Sequence, residues 1–150
     1  MLVYRIQKAK YASDISGFGS TLVSGRWHQA GKHPILYTSS NISLAILECL
    51  VHLPSVVKPP ELVLLTLEIP DGSIVKPETN DLPENWDKKG YFDDVQRWGT
   101  TWLQSLSSLA IMVPSATSPD YNILVNPGHP DFGSVRIIDS RPITLDDRLI

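Results

Sequence analysis

One carboxylate stands out in this sequence because its neighbours are so apolar. Glu48 is the only charged residue between Asn41 and Val51. A helix that is apolar nearly all round is typical of an element buried on most faces, and an ionised carboxylate there is costly unless it is paired or faces a polar cleft. Glu48 is therefore either a structural carboxylate, paired with an arginine or at a narrow exposed edge, or a catalytic or ligand-binding group in a pocket.

A glycine-rich stretch comes shortly before a second candidate, Arg26. Residues 17–20 read Gly-Phe-Gly-Ser, and Arg26 follows within Gly-Arg-Trp-His at 25–28. The backbone amides of such loops can approach a phosphate, and a guanidinium fork suits phosphate oxygens. The stretch has neither the Gly-Lys-Ser/Thr of a P-loop nor the glycine spacing of a dinucleotide fingerprint. Arg26 is thus a phosphate-binding candidate or a plain surface arginine in a turn.

Three more residues carry groups that could do chemistry. Tyr37 lies in an apolar segment, where core packing with a satisfied hydroxyl is the usual role. Ser115 directly follows an apolar run, as turn-capping serines do, and no Gly-x-Ser-x-Gly elbow surrounds it. Cys49 is typical of a buried, inert thiol. We expect no metal, because the four histidines lack the spacing of metal-binding motifs.

The elements that must position these groups follow from apolar periodicity. It predicts short strands at 2–6, 34–38, 62–69, 109–113, 122–125 and 134–138. A first helix, capped by one of residues 39–41, runs to about Leu53 before Pro54, and a second opens at Asp93-Asp94. Its face is Val95, Trp98, Trp102 and Leu106. Residues 12–33 and 73–92 are polar and predict loops. Short strands that outnumber helices predict an α+β fold.

Length and charge restrict the class of protein. The 150 residues suit one domain, 1–150. The net charge of −3 gives no basic excess, so we expect no direct binding of nucleic acid. No apolar run is long enough to span a bilayer, and the first residues lack the apolar core of a signal peptide. We therefore expect a soluble, cytoplasmic protein that does not contact membranes.

Several stretches, taken in order, resemble the RES domain, a family named for arginine, glutamate and serine positions. The matching stretches lie at 4–6, 16–19, 25–28, 35–38, 44–48 with His52, 82–86, Trp102, 113–116 and 126–132. The resemblance covers nearly the whole chain, and the ordered set is specific although no single piece is. One position departs from the pattern: His28 stands where many members have asparagine.

The resemblance implies a fold, an activity and a partner. RES proteins are toxins of bacterial type II toxin–antitoxin systems, neutralised by Xre-type antitoxins. Their fold is similar to that of ADP-ribosyltransferases, a split β core with helices around an NAD-binding cleft. The implied activity is cleavage of the nicotinamide–ribose bond of NAD⁺. Arg26, Glu48 and Ser115 would take the three name positions, and Tyr37 and Asn126 would line the same cleft.

These residue types suit that reaction. Nicotinamide leaves as a neutral group, so no strong general acid is needed, and the ribose becomes oxocarbenium-like. At ~4 Å and an effective dielectric of ~20, a carboxylate such as Glu48 attracts that charge by about 4 kcal/mol, which could supply up to roughly 10³-fold in rate. Arg26 would hold the pyrophosphate or a ribose hydroxyl, and Tyr37 would stack on nicotinamide. Ser115 and Asn126 would bind ribose or the carboxamide.

Two other functions stay open at this point. The same cleft could transfer ADP-ribose to a cellular macromolecule, and residue types do not separate water from phosphate as the acceptor. The chain could instead be a non-catalytic module whose 73–92 segment docks a protein partner. That module predicts Glu48 in a structural salt bridge and no open cleft beside Arg26.

Overall fold

A seven-stranded sheet forms the centre of the computed structural model, which describes residues 1–54 and 60–150. The strands are β1 (Leu2–Lys8), β2 (Leu36–Ser39), β3 (Leu62–Glu68), β4 (Ile74–Val75), β5 (Ala110–Pro114), β6 (Tyr121–Val125) and β7 (Arg136–Ile143). Their order is β4-β5-β6-β2-β1-β3-β7, antiparallel except for the parallel pair β4-β5. The helices of this part of the chain are α1 (Ile42–His52) and α2 (Asp93–Ser105). The predicted α+β class is confirmed.

The sheet is split between its two central strands. β1 pairs with β3 along its whole length, from Leu2 opposite Glu68 to Lys8 opposite Leu62. It pairs with β2 at a single position, Tyr4 opposite Ser39. Beyond that point β1 and β2 separate and leave a gap between them. The chain thus forms the split β core that the resemblance implied.

Helix α1 begins and ends where the sequence predicts, but it is less buried than expected. The side chain of Asn41 caps it by accepting a 2.8 Å hydrogen bond from the Leu44 amide. Leu44 and Ala45 are buried, whereas Leu47 is 41% and Val51 58% exposed. The expectation of burial on most faces is wrong, because only one side of α1 packs against the sheet and the outer side remains in solvent.

Apolar side chains pack in two clusters. The first contains Val3, Leu36, Leu65, Leu67, Ile69, Leu109, Ala110, Ile123, Val125 and Val135. The second contains Trp27, Ile35, Leu82, Val95, Trp102, Leu103, Ile111, Val113 and Leu124. Successive residues of β6 alternate between the clusters, as the two-residue period of a strand requires.

Helix α2 packs closely against the segment that carries Arg26. A Cβ atom on Gly99 would lie 1.6 Å from the Trp27 carbonyl oxygen, so only glycine allows this approach. Val95 and Trp102 are buried as the predicted helix face requires. Leu106 does not continue that face, because it adopts a left-handed conformation (φ 53°) that ends the helix after Ser105.

The predicted polar excursion at 73–92 is more structured than its composition indicates. It contains β4 and is anchored by the buried side chain of Leu82 and by Trp86, whose ring stacks on Trp27 at 6.4 Å. β4 has only two residues, too few to give a periodic signal. Among the residues described, none of the helices has the length and apolarity to cross a membrane.

Candidate active site

A cavity of about 770 Å³ opens at the split between β1 and β2. Its walls come from β1, β2, α1, the segment 17–28 and the β5–β6 turn. Glu48, Arg26 and Tyr37, predicted from separate parts of the sequence, all line it. Ser115 contacts the same site, because its hydroxyl donates a hydrogen bond to Glu48. The structure therefore brings together most of the predicted site.

The Glu48 carboxylate is held by three hydrogen bonds to one oxygen. Its Oε1 atom accepts from Ser115 Oγ, Thr117 Oγ1 and Asn122 Nδ2, each at 2.8 Å. Hydrogen bonds to a carboxylate are charge-assisted and strong, which explains how an acid is tolerated on an apolar helix. Within residues 1–54 and 60–150, no lysine, arginine or histidine forms a salt bridge with Glu48.

This arrangement fixes the carboxylate while leaving half of it available. In the described part of the chain, Oε2 of Glu48 has no hydrogen-bond partner. The side chain lines the cavity and is only partly buried. Glu48 therefore presents a negative charge of fixed orientation to anything that enters.

The three donors come from one hairpin. Ser115 follows β5, its amide closing the turn by donating to the Asp120 carbonyl at 2.9 Å, and Asn122 pairs with Val113 across the β5–β6 ladder. Thr117 lies in the turn between them, where its amide donates to Ser115 Oγ at 3.0 Å. Sequence reasoning missed Thr117 and Asn122. An asparagine inside an otherwise apolar strand was the available signal.

Arg26 secures one wall of the cavity. Its Nη1 donates to the Trp86 carbonyl at 2.7 Å and to the Lys88 carbonyl at 3.0 Å. The guanidinium also lies over the Tyr91 ring, 5.7 Å from its centroid. Its Nε and Nη2 have no hydrogen-bond partner among the residues described here. Arg26 thus holds the 86–91 loop and keeps donors for a ligand.

The opposite wall also reaches Tyr91. His52, one turn after Glu48 on α1, has Nε2 3.2 Å from the Tyr91 hydroxyl. Its Nδ1 is 2.8 Å from the Glu48 carbonyl oxygen, which can only accept, so Nδ1 carries the hydrogen. The Tyr91 hydroxyl is the hydrogen-bond partner of Nε2. Tyr91 therefore joins α1 to the loop that Arg26 secures.

A second arginine lines the cavity, and the sequence reasoning gave it no role. Arg5 donates from Nη1 to the Tyr37 carbonyl at 2.9 Å, across the gap between β1 and β2, and from Nε to Gln7 at 2.8 Å. Burial lowers the pKa of the Arg5 guanidinium, and the charge of Asp14 opposes that shift. No carboxylate of the described residues forms a salt bridge with Arg5. Its charge is available to an anion.

Tyr37 presents its ring to the cavity and keeps its hydroxyl among protein groups. The hydroxyl lies 3.3 Å from the Trp27 amide, which donates to it, and 2.6 Å from His28 Nδ1. Burial raises the pKa of Tyr37, so the phenol is neutral at pH 7. Tyr37 can offer an aromatic surface but not an anionic base.

Asn126 does not line the cavity, so that prediction needs correction. Its Nδ2 donates to the Leu103 carbonyl at 3.0 Å, and its Oδ1 accepts from the Gly128 amide at 2.9 Å. Four residues of strand span roughly 13 Å, which separates Asn126 from Asn122 although both belong to the same sheet face. Asn126 joins α2 to the turn after β6. The asparagine that lines the cavity is Asn122. The part of the chain described here contains no cluster of three or more metal-ligating side chains.

Comparison with solved structures first identifies the class of fold. A chain of the toxin–antitoxin complex MbcT–MbcA from M. tuberculosis superposes with a TM-score of 0.79, covering 95% of this chain and 84% of that one, at 16% sequence identity. At that identity the likeness concerns the fold, a mixed sheet with helices on a split core.

The sequence then gives the family. The model of the RES domain matches residues 2–146, and the chain belongs to the RES domain family. Toxin Res of Yersinia enterocolitica is 39% identical over 134 residues, 88% of each chain. Toxin Res of Pseudomonas putida is 37% identical over 152 residues, 99% of each. The Prs ADP-ribosylating toxin of Sphingobium sp. is 34% identical over 143 residues, 93% of this chain and 88% of that protein. The predicted family is confirmed.

Proposed function

We propose that this chain is the toxin of a toxin–antitoxin system and that it cleaves the nicotinamide–ribose bond of NAD⁺. It acts in the cytoplasm as an NAD⁺ glycohydrolase or phosphorylase, so that loss of NAD⁺ arrests growth. The observation that carries the proposal is the Glu48 carboxylate, held on one oxygen by three donors at the wall of a cavity of about 770 Å³. The names of its relatives support the toxin role.

Glu48 supplies the charge that the reaction needs. When the C1′–nitrogen bond breaks, its electron pair stays on the nicotinamide nitrogen and cancels the positive charge there. Positive charge then develops on the ribose. A carboxylate ~4 Å away attracts it by about 4 kcal/mol at an effective dielectric of ~20, or up to roughly 10³-fold in rate. Because Oε1 is already fixed, Glu48 need not reorganise as this charge appears.

The two arginines suit the other end of the substrate. The pyrophosphate of NAD⁺ is anionic, and guanidinium groups bind such oxygens well. Arg5, whose hydrogen-bond partners among the described residues are neutral acceptors, binds the pyrophosphate. Arg26 keeps the 86–91 loop in place and directs its remaining donors to a phosphate or a ribose hydroxyl.

The roles of the remaining residues are more indirect. The Tyr37 ring stacks on nicotinamide, as its position on the cavity wall allows. Ser115 acts through Glu48, to which its hydroxyl donates, and it does not itself contact ribose. Asn126 stabilises the fold and has no part in the reaction. Water or phosphate then adds to C1′, and the acceptor's proton passes to solvent. No metal takes part in this scheme.

An Xre-type antitoxin is the proposed partner. One solved structure with a similar fold is a toxin–antitoxin complex, which supports a protein partner for this chain. The side chains of Phe18, Leu22 and Val23 are 63–70% exposed, and Val23 lines the cavity, so a protein that covers these side chains would close the entrance. Any contact with DNA in such a complex comes from the partner, because this chain has a net charge of −3.

Transfer of ADP-ribose to a protein is the second candidate. The Sphingobium relative is named as a toxin that ADP-ribosylates Prs, and the same exposed apolar side chains could dock a target. A non-catalytic module is disfavoured, because it predicted a salt-bridged Glu48 and no cleft beside Arg26. Both expectations differ from the arrangement found among the described residues.

Labelled NAD⁺ tests these alternatives. Protein purified without antitoxin is incubated with NAD⁺ carrying a label in its adenine, and nicotinamide and the labelled product are followed. Free ADP-ribose indicates hydrolysis, ADP-ribose 1-phosphate formed only with phosphate indicates phosphorolysis, and label on a cellular protein indicates transfer. Absence of nicotinamide release in water, with added phosphate and with added cellular protein would refute the proposal.

A further inference from the structure

His28 is the most enclosed titratable side chain beside the cavity, and the proposed reaction gives it no role. It is 2% exposed. Its Nε2 lies 2.9 Å from the Ser20 carbonyl and 3.0 Å from the Val23 carbonyl. Carbonyl oxygens only accept, so Nε2 carries the hydrogen. Burial lowers the pKa of His28, so the ring is neutral and its Nδ1 is an acceptor.

The Tyr37 hydroxyl must then donate to His28. The distance from Tyr37 Oη to His28 Nδ1 is 2.6 Å, and the same hydroxyl accepts from the Trp27 amide at 3.3 Å. Gly25 encloses this pair, since a Cβ atom there would lie 2.6 Å from Tyr37 Oη and 3.1 Å from His28 Nδ1. The hydroxyl therefore has a fixed direction, and so does the ring that faces the cavity.

The other side of His28 holds the rim of the cavity. Ser20 and Val23 belong to the segment 17–24, most of which lines the cavity. Within it, Leu22 and Val23 are about 70% exposed, so the segment gains little from its own packing. One imidazole thus connects a β2 side chain with the backbone of the rim.

We propose that His28 is a positioning residue that sets the orientation of the Tyr37 ring, and through it the binding of the nicotinamide end of the substrate. This inference rests on the proposed function. A ring that stacks on nicotinamide equally before and during bond cleavage contributes uniform binding, which appears in KM rather than in kcat. Glu48, by contrast, acts on charge that develops only during the reaction and therefore appears in kcat.

Two substitutions separate the two ends of His28. His28→Asn places an amide oxygen close to the Nδ1 position, so it keeps an acceptor for Tyr37 but is too short to reach the rim carbonyls. His28→Gln places an amide nitrogen close to the Nε2 position, so it keeps the rim contacts and loses the acceptor at Nδ1. Tyr37→Phe keeps the ring and removes the hydroxyl that His28 holds. His33→Gln is the matched control, since His33 is outside the cavity lining.

Steady-state nicotinamide release from NAD⁺ gives the result. Loss of one hydrogen bond of ordinary strength corresponds to a factor of about five to ten. We expect KM to rise about five- to tenfold in His28→Gln and Tyr37→Phe, with kcat within about twofold of wild type. The KM of His28→Asn should be at least threefold lower than that of His28→Gln. The KM of the double variant Tyr37→Phe/His28→Gln should be no higher than that of either single variant, because both changes remove the same hydrogen bond. His33→Gln should match wild type.

Other outcomes overturn the inference separately from the function. A wild-type KM in Tyr37→Phe, or equal impairment in His28→Asn and His28→Gln, would refute the positioning role while cleavage by the wild type stands. If His28→Gln does not fold, Tyr37→Phe still decides. If the wild type releases no nicotinamide, the proposed function fails, and nitrogen NMR of the imidazole still tests the geometry. The structure requires the Nε2–H tautomer, and the Nδ1–H tautomer would contradict it.

Discussion

Removal of one hydroxyl from the group that holds Glu48 should impair catalysis according to how deeply that hydroxyl is buried. Ser115 and Thr117 both donate to Glu48 Oε1 at 2.8 Å. Ser115 is 5% exposed, whereas Thr117 is exposed. Ser115→Ala therefore leaves a place that water reaches poorly. Thr117→Val, a change of nearly equal volume, puts a methyl group in place of the hydroxyl, but at this exposed position water can reach Oε1 from solvent.

The magnitudes follow from the strength of hydrogen bonds to a charged group. Such a bond contributes about 1.5–3 kcal/mol, and each 1.36 kcal/mol corresponds to about tenfold in rate. We expect Ser115→Ala to lower kcat by about 10- to 100-fold, because Glu48 loses a fixed donor and gains freedom to turn from the ribose. For Thr117→Val we expect a loss of about threefold or less, since a water molecule replaces most of the bond.

The assay is initial-rate release of nicotinamide at saturating NAD⁺, with the urea midpoint of each variant as a control for folding. KM should change little in either variant, because neither hydroxyl contacts the substrate in this account. Equal loss of kcat in both variants would refute the reasoning from burial. A Ser115→Ala variant with wild-type kcat would show that Oε1 need not be held.

Three further predictions concern binding, packing and pH. Arg5→Gln should raise KM for NAD⁺ by about 10- to 100-fold through loss of a cation–phosphate contact and leave cleavage of nicotinamide riboside, which has no phosphate, unchanged; equal losses on both substrates would contradict the phosphate role. Gly99→Ala should lower the free energy of unfolding by about 3 kcal/mol or more, because its Cβ would lie 1.6 Å from the Trp27 carbonyl oxygen, and urea denaturation measures this. Folding lowers the pKa of His28. Below about pH 6.5, the ordinary pKa of histidine, the unfolded chain therefore binds a proton at His28 that the folded chain does not bind. The stability present above that pH should fall as pH decreases to 5, and the fall should be smaller in His28→Asn; parallel curves would contradict a buried neutral imidazole.

Local signals were enough for much of the fold. Asn41 caps α1 and Pro54 follows its end, as the sequence predicts. The apolar runs gave five of the strands within a few residues of their observed bounds, while β7 extends to Ile143 although the prediction stopped at 138. Its residues are exposed almost throughout, so no alternation of apolar and polar residues marked its second half. β3 pairs with it along nearly its whole length, which only the tertiary fold reveals.

Only those parts of the site that leave a local signal in the sequence could be predicted. Glu48 was conspicuous because one charge among apolar residues contradicts its surroundings, and that contradiction is local. Thr117 and Asn122 were not found, because their role depends on the pairing of β5 with β6 and on the position of α1 above them. Asn126 was assigned from the resemblance alone, and the fold instead holds its side chain between the Leu103 carbonyl and the Gly128 amide, away from the cavity. Arg5 became a candidate only when the gap between β1 and β2 showed where its charge lies.

One comparison tests the central claim that Glu48 stabilises positive charge on the ribose of NAD⁺. Glu48→Gln keeps the shape of the side chain and an oxygen that can accept from Ser115, Thr117 and Asn122, but removes the charge. Nicotinamide release by wild type and Glu48→Gln is measured at saturating NAD⁺, with NAD⁺ affinity measured separately by calorimetry. We predict a loss of about 10³-fold in kcat with affinity within about threefold of wild type. Wild-type turnover by a folded Glu48→Gln variant would contradict the account.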